Sequence, residues 1–215
     1  MEFFRRRAAK PNRLGVFPGS FNPITVAHLA LACGALRVVD EVVFVLPREF
    51  PHKTYSGASF SQRLEILQSA LREFPHFSIA ASDGGLFLEI AMECREAYGS
   101  DVRQSFLCGR DAAERIVGWD YGRPGALQEM LAQFNFLVAG RQGAFNPPES
   151  DSAPGTQAFE CLELGGDYDP VSASEVRHRI AEGLPWEHLV PASVRRAVGQ
   201  IYSPTERRPN LRSAE

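Results

Sequence analysis

The sequence lacks the features that mark membrane proteins, secreted disulfide proteins and nucleic-acid-binding proteins. No apolar run approaches the roughly 20 residues of a membrane-spanning helix, so we expect no membrane partner. The four cysteines form no Cys-x-x-Cys pair, which argues against structural zinc and predicts buried, reduced thiols. The net charge of −3 offers no positive field for nucleic acid. We therefore expect a cytoplasmic protein with no nucleic-acid partner.

The length and composition suit one globular domain with a buried core, since the chain has 215 residues and an apolar share of 44%. Met1–Arg5 lacks the apolar segment of a secretory signal, and the run Arg5–Arg7 predicts a solvated arm. We expect a flexible arm over residues 1–12, a domain over 13–202 and a polar tail over 203–215. The sequence does not determine the oligomeric state, and a homo-oligomer is compatible with it.

Apolar strands alternate with amphipathic helices along the chain. The pattern predicts strands over residues 13–17, 41–46, 77–80, 105–108, 134–139 and 161–164, and helices over 26–38, 60–74, 86–98, 112–117, 125–133, 174–182 and 193–202. This alternation predicts an α/β fold, a Rossmann-like doubly wound parallel sheet with helices on both faces. Ligands bind such sheets beyond the carboxyl ends of the strands, so the loops after Phe17, Leu46, Cys108 and Ala139 should face one cleft. The Pro- and Ser-rich segment 143–157 is expected to be an exposed loop.

Residues 15–28 read Gly-Val-Phe-Pro-Gly-Ser-Phe-Asn-Pro-Ile-Thr-Val-Ala-His and join a short strand to a helix through a turn of small residues. Gly19 and Ser20 leave main-chain N–H groups accessible to an anion, and the helix N-terminus favours phosphate. Thr25 and His28 can donate hydrogen bonds into the same space. The alternative is a purely structural joint in which His28 is a satisfied core residue.

The segment Val-Ser-Ala-Ser-Glu-Val-Arg over residues 171–177 begins a predicted helix. Either Ser172 or Ser174 can cap this helix, and Arg177 lies near Ser174 on its surface. A cap hydroxyl, free N–H groups and a guanidinium together make a phosphate site. The alternative is an ordinary capped surface helix.

The two motifs resemble the signatures of the nucleotidyltransferase superfamily, which are Gly-Ser/Thr-Phe-Asp/Asn-Pro with His/Thr-x-Gly-His, and Ile-Ser-Ser-Thr-x-x-Arg. Ala27 stands where the first pattern has Gly, and Ala173 stands where the second has Ser. The resemblance implies that His28, Thr25 and Arg177 act on the triphosphate and on the charge that develops in the transition state. It also implies a set of nucleotide-binding residues, namely Gly19, Ser20, Phe21, Asn22, Ser172 and Ser174.

Further segments resemble bacterial nicotinate-nucleotide adenylyltransferases within this superfamily. They are Pro51-His52-Lys53, Gln62-Arg63, Gly109-Arg110-Asp111 with the downstream Trp119, and Arg141 after the fifth predicted strand. The resemblance implies that Gly109 and Asp111 lie by the nucleotide. It implies acceptor binding by Lys53, Arg63, Trp119 and Arg141. The alternatives are a solvated Lys53, an Arg63 that pairs within the fold, and a Trp119 that packs in the core.

This resemblance implies transfer of an adenylyl group from ATP to nicotinate mononucleotide, with release of pyrophosphate and formation of deamido-NAD. Mg²⁺ is expected to arrive with ATP, and we expect no metal site made by the protein alone. One departure leaves the acceptor open, because Gly85–Phe87 replaces a Ser-Tyr-Thr cluster that helps to hold the nicotinate nucleotide. The alternatives are another phosphate-bearing small molecule (phosphopantetheine, a sugar phosphate or a modified nucleoside phosphate), CTP as donor, or a non-catalytic nucleotide-binding module.

Overall fold

A computed structural model of the chain describes residues 1–49, 57–120, 122, 124–140 and 158–203. These residues contain seven strands of one sheet, namely β1 (Glu2–Arg5), β2 (Arg13–Pro18), β3 (Glu41–Pro47), β4 (Phe77–Ser82), β5 (Arg103–Gly109), β6 (Asn135–Ala139) and β7 (Phe159–Leu162). The strand order is β1-β4-β3-β2-β5-β6-β7. Strand β1 is antiparallel to β4, and every other neighbouring pair is parallel. The predicted parallel α/β sheet is confirmed.

Helices cover both faces of this sheet. They are α1 (Val26–Ala35), α2 (Phe60–Leu71), α3 (Phe87–Tyr98), α4 (Arg110–Gly118), α5 (Ala126–Leu131), α6 (Ala173–Ala181) and α7 (Arg195–Tyr202). Two short 3-10 helices, Glu187–Leu189 and Ala192–Val194, lead into α7. The helix predicted over 26–38 ends earlier, at Ala35, and the last predicted strand begins two residues earlier, at Phe159.

The central strand β3 shows why the sheet is buried on both sides. Every residue of Glu41–Pro47 is buried. Val42, Phe44 and Leu46 pack into the cluster that contains α1, α2, α6 and α7, whereas Val43 and Val45 pack into the cluster that contains α3, α4 and α5. Successive side chains of a strand point to opposite faces, so a continuous β-branched and aromatic run supplies two hydrophobic cores at once.

The amino-terminal segment corrects one prediction, because residues 1–12 are not a free arm. Glu2–Arg5 pairs with β4 as an edge strand, with Phe3 opposite Ala80. The Phe3 ring packs edge-on against Tyr98, with 5.6 Å between the ring centroids, and Phe4 packs near α2. Burial of these two rings and the main-chain hydrogen bonds to β4 outweigh the solvation of the adjacent arginines.

The arginine run holds this strand against the ends of neighbouring elements. The Arg5 guanidinium donates to the main-chain oxygen of Leu71 at 2.5 Å and to that of Phe74. Arg6 donates to the main-chain oxygen of Ala97 at 2.6 Å. Leu71 ends α2 and Ala97 lies in the last turn of α3, where carbonyl groups lack partners within the helix. The run therefore stabilises helix ends in this structure, where the sequence predicted a solvated arm.

The order of the strands locates the cleft. From β2 the chain moves outward through β3 to β4, and it then returns to place β5 on the other side of β2. The connections at the carboxyl ends of β2 and β5 consequently diverge and leave a crevice between them.

The cysteines follow the prediction only in part, since Cys94 and Cys108 are buried whereas Cys33 and Cys161 are exposed. Cys161 lies on β7, the last strand of the sheet order, and its side chain faces outward while its neighbour Leu162 is buried. None of the helices in the described ranges is both long and apolar enough to cross a membrane. Apart from Ser203, the predicted tail over 203–215 lies outside the described residues, as does the predicted loop over 143–157.

Candidate active site

A cleft of 250 Å³ opens at the carboxyl ends of β2, β5 and β6. Both sequence motifs contribute to its wall, with Thr25, Ala27 and His28 from the N-cap and first turn of α1, and Ser172 and Ala173 from the start of α6. The loops after Phe17, Cys108 and Ala139 face it, as predicted. The loop after Leu46 includes residues 50–56, which lie outside the described part of the chain.

The imidazole of His28 is oriented by the cap of its own helix. Its Nδ1 lies 3.0 Å from the main-chain nitrogen of Thr25, which donates to it, and 2.8 Å from Thr25 Oγ1. In return, the main-chain N–H of His28 donates to Thr25 Oγ1 at 3.4 Å. Because Nδ1 accepts a main-chain N–H, the neutral ring carries its proton on Nε2. Thr25 is fully buried, and its hydroxyl contacts the imidazole of His28. Thr25 therefore orients this ring.

Aromatic packing restrains the same imidazole from the other side. The ring centroid of His28 lies 5.9 Å from that of Phe17 and 5.4 Å from that of Phe21. Phe21 is buried and has a φ of 43°, in the left-handed region that few non-glycine residues adopt. A side chain at Gly19 would place its Cβ 2.9 Å from the Phe21 ring, so a larger residue there would displace this buried ring.

The loop of residues 19–22 differs from the prediction in how its polar groups are used. The N–H of Gly19 donates to the main-chain oxygen of Val45 at 3.1 Å, so this group closes the fold and does not face the cleft as a phosphate donor. The side chain of Asn22 is buried, with 4% of its surface exposed. Ser20 is partly exposed, and its main-chain oxygen accepts a hydrogen bond from Arg63 Nη1 at 2.9 Å.

Arg177 joins the two motifs directly. Its Nη1 donates to the main-chain oxygen of Asn22 at 2.5 Å and to that of Ala173 at 3.1 Å. Its Nη2 donates to Ser174 Oγ at 3.2 Å, which confirms the predicted proximity of the two side chains. Ser172 is the residue that caps α6, because its hydroxyl accepts the N–H of Glu175 at 3.0 Å. Ser174 is exposed and does not cap the helix.

The start of α4 forms another part of the wall. Gly109 is the N-cap residue of this helix and lines the cleft, and a Cβ there would meet no atom within 4 Å. Asp111 is exposed in the first turn. The Cys108 thiol also lines the cleft, and burial raises its pKa to about 12. A thiol with that pKa is protonated at neutral pH and is a poor nucleophile.

The predicted acceptor residues are dispersed. Arg63 is buried, with 2% of its surface exposed, and holds the loop of residues 19–22 through Ser20, so it does not face the cleft. Trp119 is 53% exposed and lines a separate depression of 450 Å³ between the end of α4 and the start of α5. It is therefore not a core residue. Lys53 and Arg141 lie outside the described residues.

The start of α3 contains a residue that sequence reasoning missed. Glu89 accepts the main-chain N–H groups of Gly85 and Leu86, each at 3.2 Å, and so satisfies the end of its own helix. Phe87 lines the cleft and packs edge-on against Phe106, with 5.3 Å between the ring centroids. Leu86 and Glu89 have the spacing of a capping box, although the Leu86 side chain cannot cap the helix. This spacing is the sequence signal from which the role of Glu89 could have been predicted.

Comparisons with known proteins agree with this architecture. The family model described as cytidylyltransferase-like matches residues 16–179. A probable nicotinate-nucleotide adenylyltransferase of Thermus thermophilus is 30% identical over 189 residues, covering 85% of this chain and 94% of that protein. A protein of the same name from Carboxydothermus hydrogenoformans is 27% identical over 197 residues, covering 85% and 92% respectively.

A solved structure shares the fold. Nicotinic acid mononucleotide adenylyltransferase of Plasmodium falciparum, complexed with NaAD, superposes with a TM-score of 0.64 at 19% identity, covering 85% of this chain and 93% of that one. The family match spans β2 to α6 and therefore includes both motifs that meet at Asn22 and Arg177. The chain belongs to the cytidylyltransferase-like family of nucleotidyltransferases.

Proposed function

We propose that this protein transfers the adenylyl group of ATP to nicotinate mononucleotide, releasing pyrophosphate and forming deamido-NAD. The observation that carries the proposal is the hydrogen bond from Arg177 to Asn22, which joins the two sequence motifs beside the cleft that His28 lines. The names of the Thermus and Carboxydothermus relatives support this acceptor. The Plasmodium structure, at 19% identity, supports the likeness of the fold alone.

In the proposed reaction, a phosphate oxygen of the mononucleotide attacks the α-phosphorus of ATP. The new P–O bond forms as the bond from the α-phosphorus to the bridging oxygen breaks, and pyrophosphate leaves with that electron pair. The acceptor phosphate is already ionised at neutral pH, so no residue needs to act as a covalent nucleophile. Catalysis then depends on alignment and on hydrogen bonds to the oxygens that gain charge.

The roles proposed for individual side chains follow from their contacts. His28 donates from Nε2 to the transferring phosphoryl group, since Nδ1 is already engaged by Thr25. Thr25 acts as a positioning residue for that imidazole. Arg177 and Ser174 bind the β- and γ-phosphates, Ser172 orders the start of α6, and Gly109 and Asp111 lie beside the sugar of ATP.

Magnesium enters this scheme only as part of the substrate. No Asp or Glu lines the 250 Å³ cleft within the described residues. The same residues contain no group of three His, Cys, Asp or Glu side chains that could hold a metal ion. We propose that Mg²⁺ is bound mainly by the phosphates of ATP, which is how this ion is commonly held at nucleotide sites.

One observation favours a second candidate for the acceptor. The start of α3 presents Phe87 to the cleft in place of hydroxyl groups, and Glu89 adds a negative charge nearby. A carboxylate near this helix end disfavours an anionic ring substituent and favours an uncharged one. We therefore keep a different phosphate-bearing acceptor as the alternative, with nicotinamide mononucleotide as its simplest example.

The test measures pyrophosphate release from ATP or CTP with nicotinate mononucleotide, nicotinamide mononucleotide, phosphopantetheine and a sugar phosphate. Preference for ATP and nicotinate mononucleotide by kcat/KM supports the proposal. A higher kcat/KM with another acceptor would replace the proposed substrate and keep the chemistry. Absence of pyrophosphate with every pair, in protein that binds ATP, would point to a non-catalytic nucleotide-binding module.

A further inference from the structure

The side chain of Asn22 accepts hydrogen bonds from segments that are distant in the sequence. Its Oδ1 accepts a hydrogen bond from the hydroxyl of Tyr202 at 2.5 Å, across 180 residues of chain. The same oxygen accepts the main-chain N–H of Ala58 at 3.3 Å. Both donors converge on one oxygen of a buried carboxamide, which defines the orientation of the amide.

The main chain at Gly57 packs closely against one side of this amide. Gly57, at the start of the segment that leads into α2, has a φ of 127°, and a Cβ there would lie 2.4 Å from Asn22 Nδ2. A Cβ at that distance is a steric clash, so the chain approaches the amide as closely as glycine permits. The amide and the carbonyl group of Asn22 are attached to one Cα, so hydrogen bonds that restrain the side chain also restrain the main chain.

The main chain of Asn22 is what Arg177 contacts. Its carbonyl oxygen accepts the 2.5 Å hydrogen bond from Arg177 Nη1, and charge-assisted bonds of this kind are stronger and more directional than neutral ones. The guanidinium also contacts Ser174 and Ala173, both on its own helix. Of the contacts described above for Arg177, the one to Asn22 alone sets its position relative to the His28 loop.

We propose that Tyr202, the last residue of α7, is a positioning residue for the nucleotide site. Its hydroxyl holds the Asn22 amide, Asn22 holds the Arg177 guanidinium, and Arg177 is thereby aimed at the ATP phosphates. This inference rests on the proposed function for the role of Arg177. Tyr202 itself is not among the residues that line the cleft.

The test is the dissociation constant for ATP, measured calorimetrically on the full-length Tyr202→Phe variant. This change keeps the ring and removes only the donor. Loss of one hydrogen bond and of the alignment that depends on it should raise Kd by about tenfold. The KM for the acceptor should stay unchanged, since the Asn22–Arg177 contact concerns only the donor phosphates. A merely structural role would lower the melting temperature and leave the Kd for ATP unchanged.

The matched control is Tyr98→Phe, which removes another tyrosine hydroxyl that donates within the fold. Tyr98 donates to the buried carboxylate of Glu41 at 2.6 Å, and Glu41 is at the start of β3, at the opposite end of the sheet from the cleft. This variant should lower the melting temperature without changing the Kd for ATP. An equal rise of Kd in both variants would overturn the inference, because the effect would then be general destabilisation.

Variants of Asn22 give a second route that does not require Tyr202→Phe to fold. Asn22→Asp keeps an oxygen acceptor for Tyr202 and should retain most of the affinity for ATP, whereas Asn22→Ala should lose about as much as Tyr202→Phe. If the two residues act through one hydrogen bond, the double variant should lose no more than the larger single loss. Additive losses would overturn the inference.

The outcomes separate this inference from the proposed function. Wild-type protein that binds ATP but releases no pyrophosphate with any acceptor would overturn the proposed function, and the Kd ratio would still decide the role of Tyr202. Active wild-type protein with an unchanged Kd in Tyr202→Phe would overturn only the inference. Wild-type protein that binds no ATP would overturn both.

Discussion

The two sides of the candidate site are built differently. On the proposed donor side, hydrogen bonds link side chains to each other or to each other's main chain, and two of the residues, Asn22 and Thr25, are buried. The residues of this side are Thr25, His28, Asn22, Ser174 and Arg177. The residues proposed for the acceptor side are less connected, since Glu89 caps its own helix beside Phe87, and Trp119 is half exposed in a depression separate from the cleft.

In the proposed reaction, this difference assigns the chemistry and the substrate selectivity to different sides of the site. Preorganised donors stabilise developing charge without reorganising during the reaction, so the donor side is suited to a step that every nucleotidyl transfer shares. Exposed or self-satisfied groups adapt more readily to a ligand and contribute less to its orientation. The acceptor side is therefore the part of the molecule in which substitutions should change substrate preference most easily.

The largest effect is expected from removing the imidazole of His28 on the donor side. His28→Ala should lower kcat by on the order of 10²–10³, as the loss of one donor to a developing oxyanion does. Steady-state pyrophosphate release measures this effect. His76→Ala, an exposed histidine just before β4, serves as the control and should leave kcat unchanged. Near-normal turnover of His28→Ala would remove His28 from the reaction.

A smaller effect is expected at Arg177, the arginine proposed to bind the phosphates of ATP. Arg177→Ala removes hydrogen bonds to charged groups, and the KM for ATP should rise by roughly 10- to 100-fold. The matched control is Arg179→Ala on the same helix, whose guanidinium forms a partly exposed ion pair with Glu175 at 2.6 Å. Ion pairs of that type contribute little, so its KM should match the wild type. Similar KM values in the two variants would contradict the role given to Arg177.

On the acceptor side, the exposed indole is the group with the largest area to offer a ring. Trp119→Ala should raise the KM for the acceptor by about tenfold and leave the KM for ATP unchanged, because stacking is lost only with the acceptor base. Trp119→Phe keeps an aromatic face and should recover most of the affinity. A rise in the KM for ATP instead would show that the 450 Å³ depression belongs to the donor side.

The smallest effect tests the charge at the start of α3. Glu89→Gln keeps an oxygen for the N–H groups of Gly85 and Leu86 and removes the negative charge. The ratio of kcat/KM for nicotinate mononucleotide to that for nicotinamide mononucleotide should rise about two- to fivefold, since repulsion of the acceptor carboxylate is relieved. The melting temperature is the control and should hardly change. An unchanged ratio would mean that Glu89 acts only as a helix cap.

Much of the fold was predictable because local sequence patterns determine its strands and helices. The continuous apolar run of β3 and the helical spacing of α2 are set by nearest-neighbour periodicity, and the structure has both elements at the predicted places. Strand β1 was missed because its four residues are a strand only through pairing with β4, more than 70 residues later. The adjacent arginines suggested solvent, but their guanidinium groups contact main-chain carbonyl groups at helix ends.

The contacts of the candidate site also fall into local ones and ones between distant segments. The sequence by itself determined the local pairs within each motif, because the contacts of Thr25 with His28 and of Ser174 with Arg177 span three residues each and lie within single helical turns. Only the tertiary structure decided which side chains hold these motifs together. The contact of Arg63 with Ser20 joins residues 43 apart, that of Arg177 with Asn22 joins residues 155 apart, and that of Tyr202 with Asn22 spans 180. Local periodicity does not predict such pairs, because they form only when packing of the sheet and helices brings distant segments within hydrogen-bonding distance.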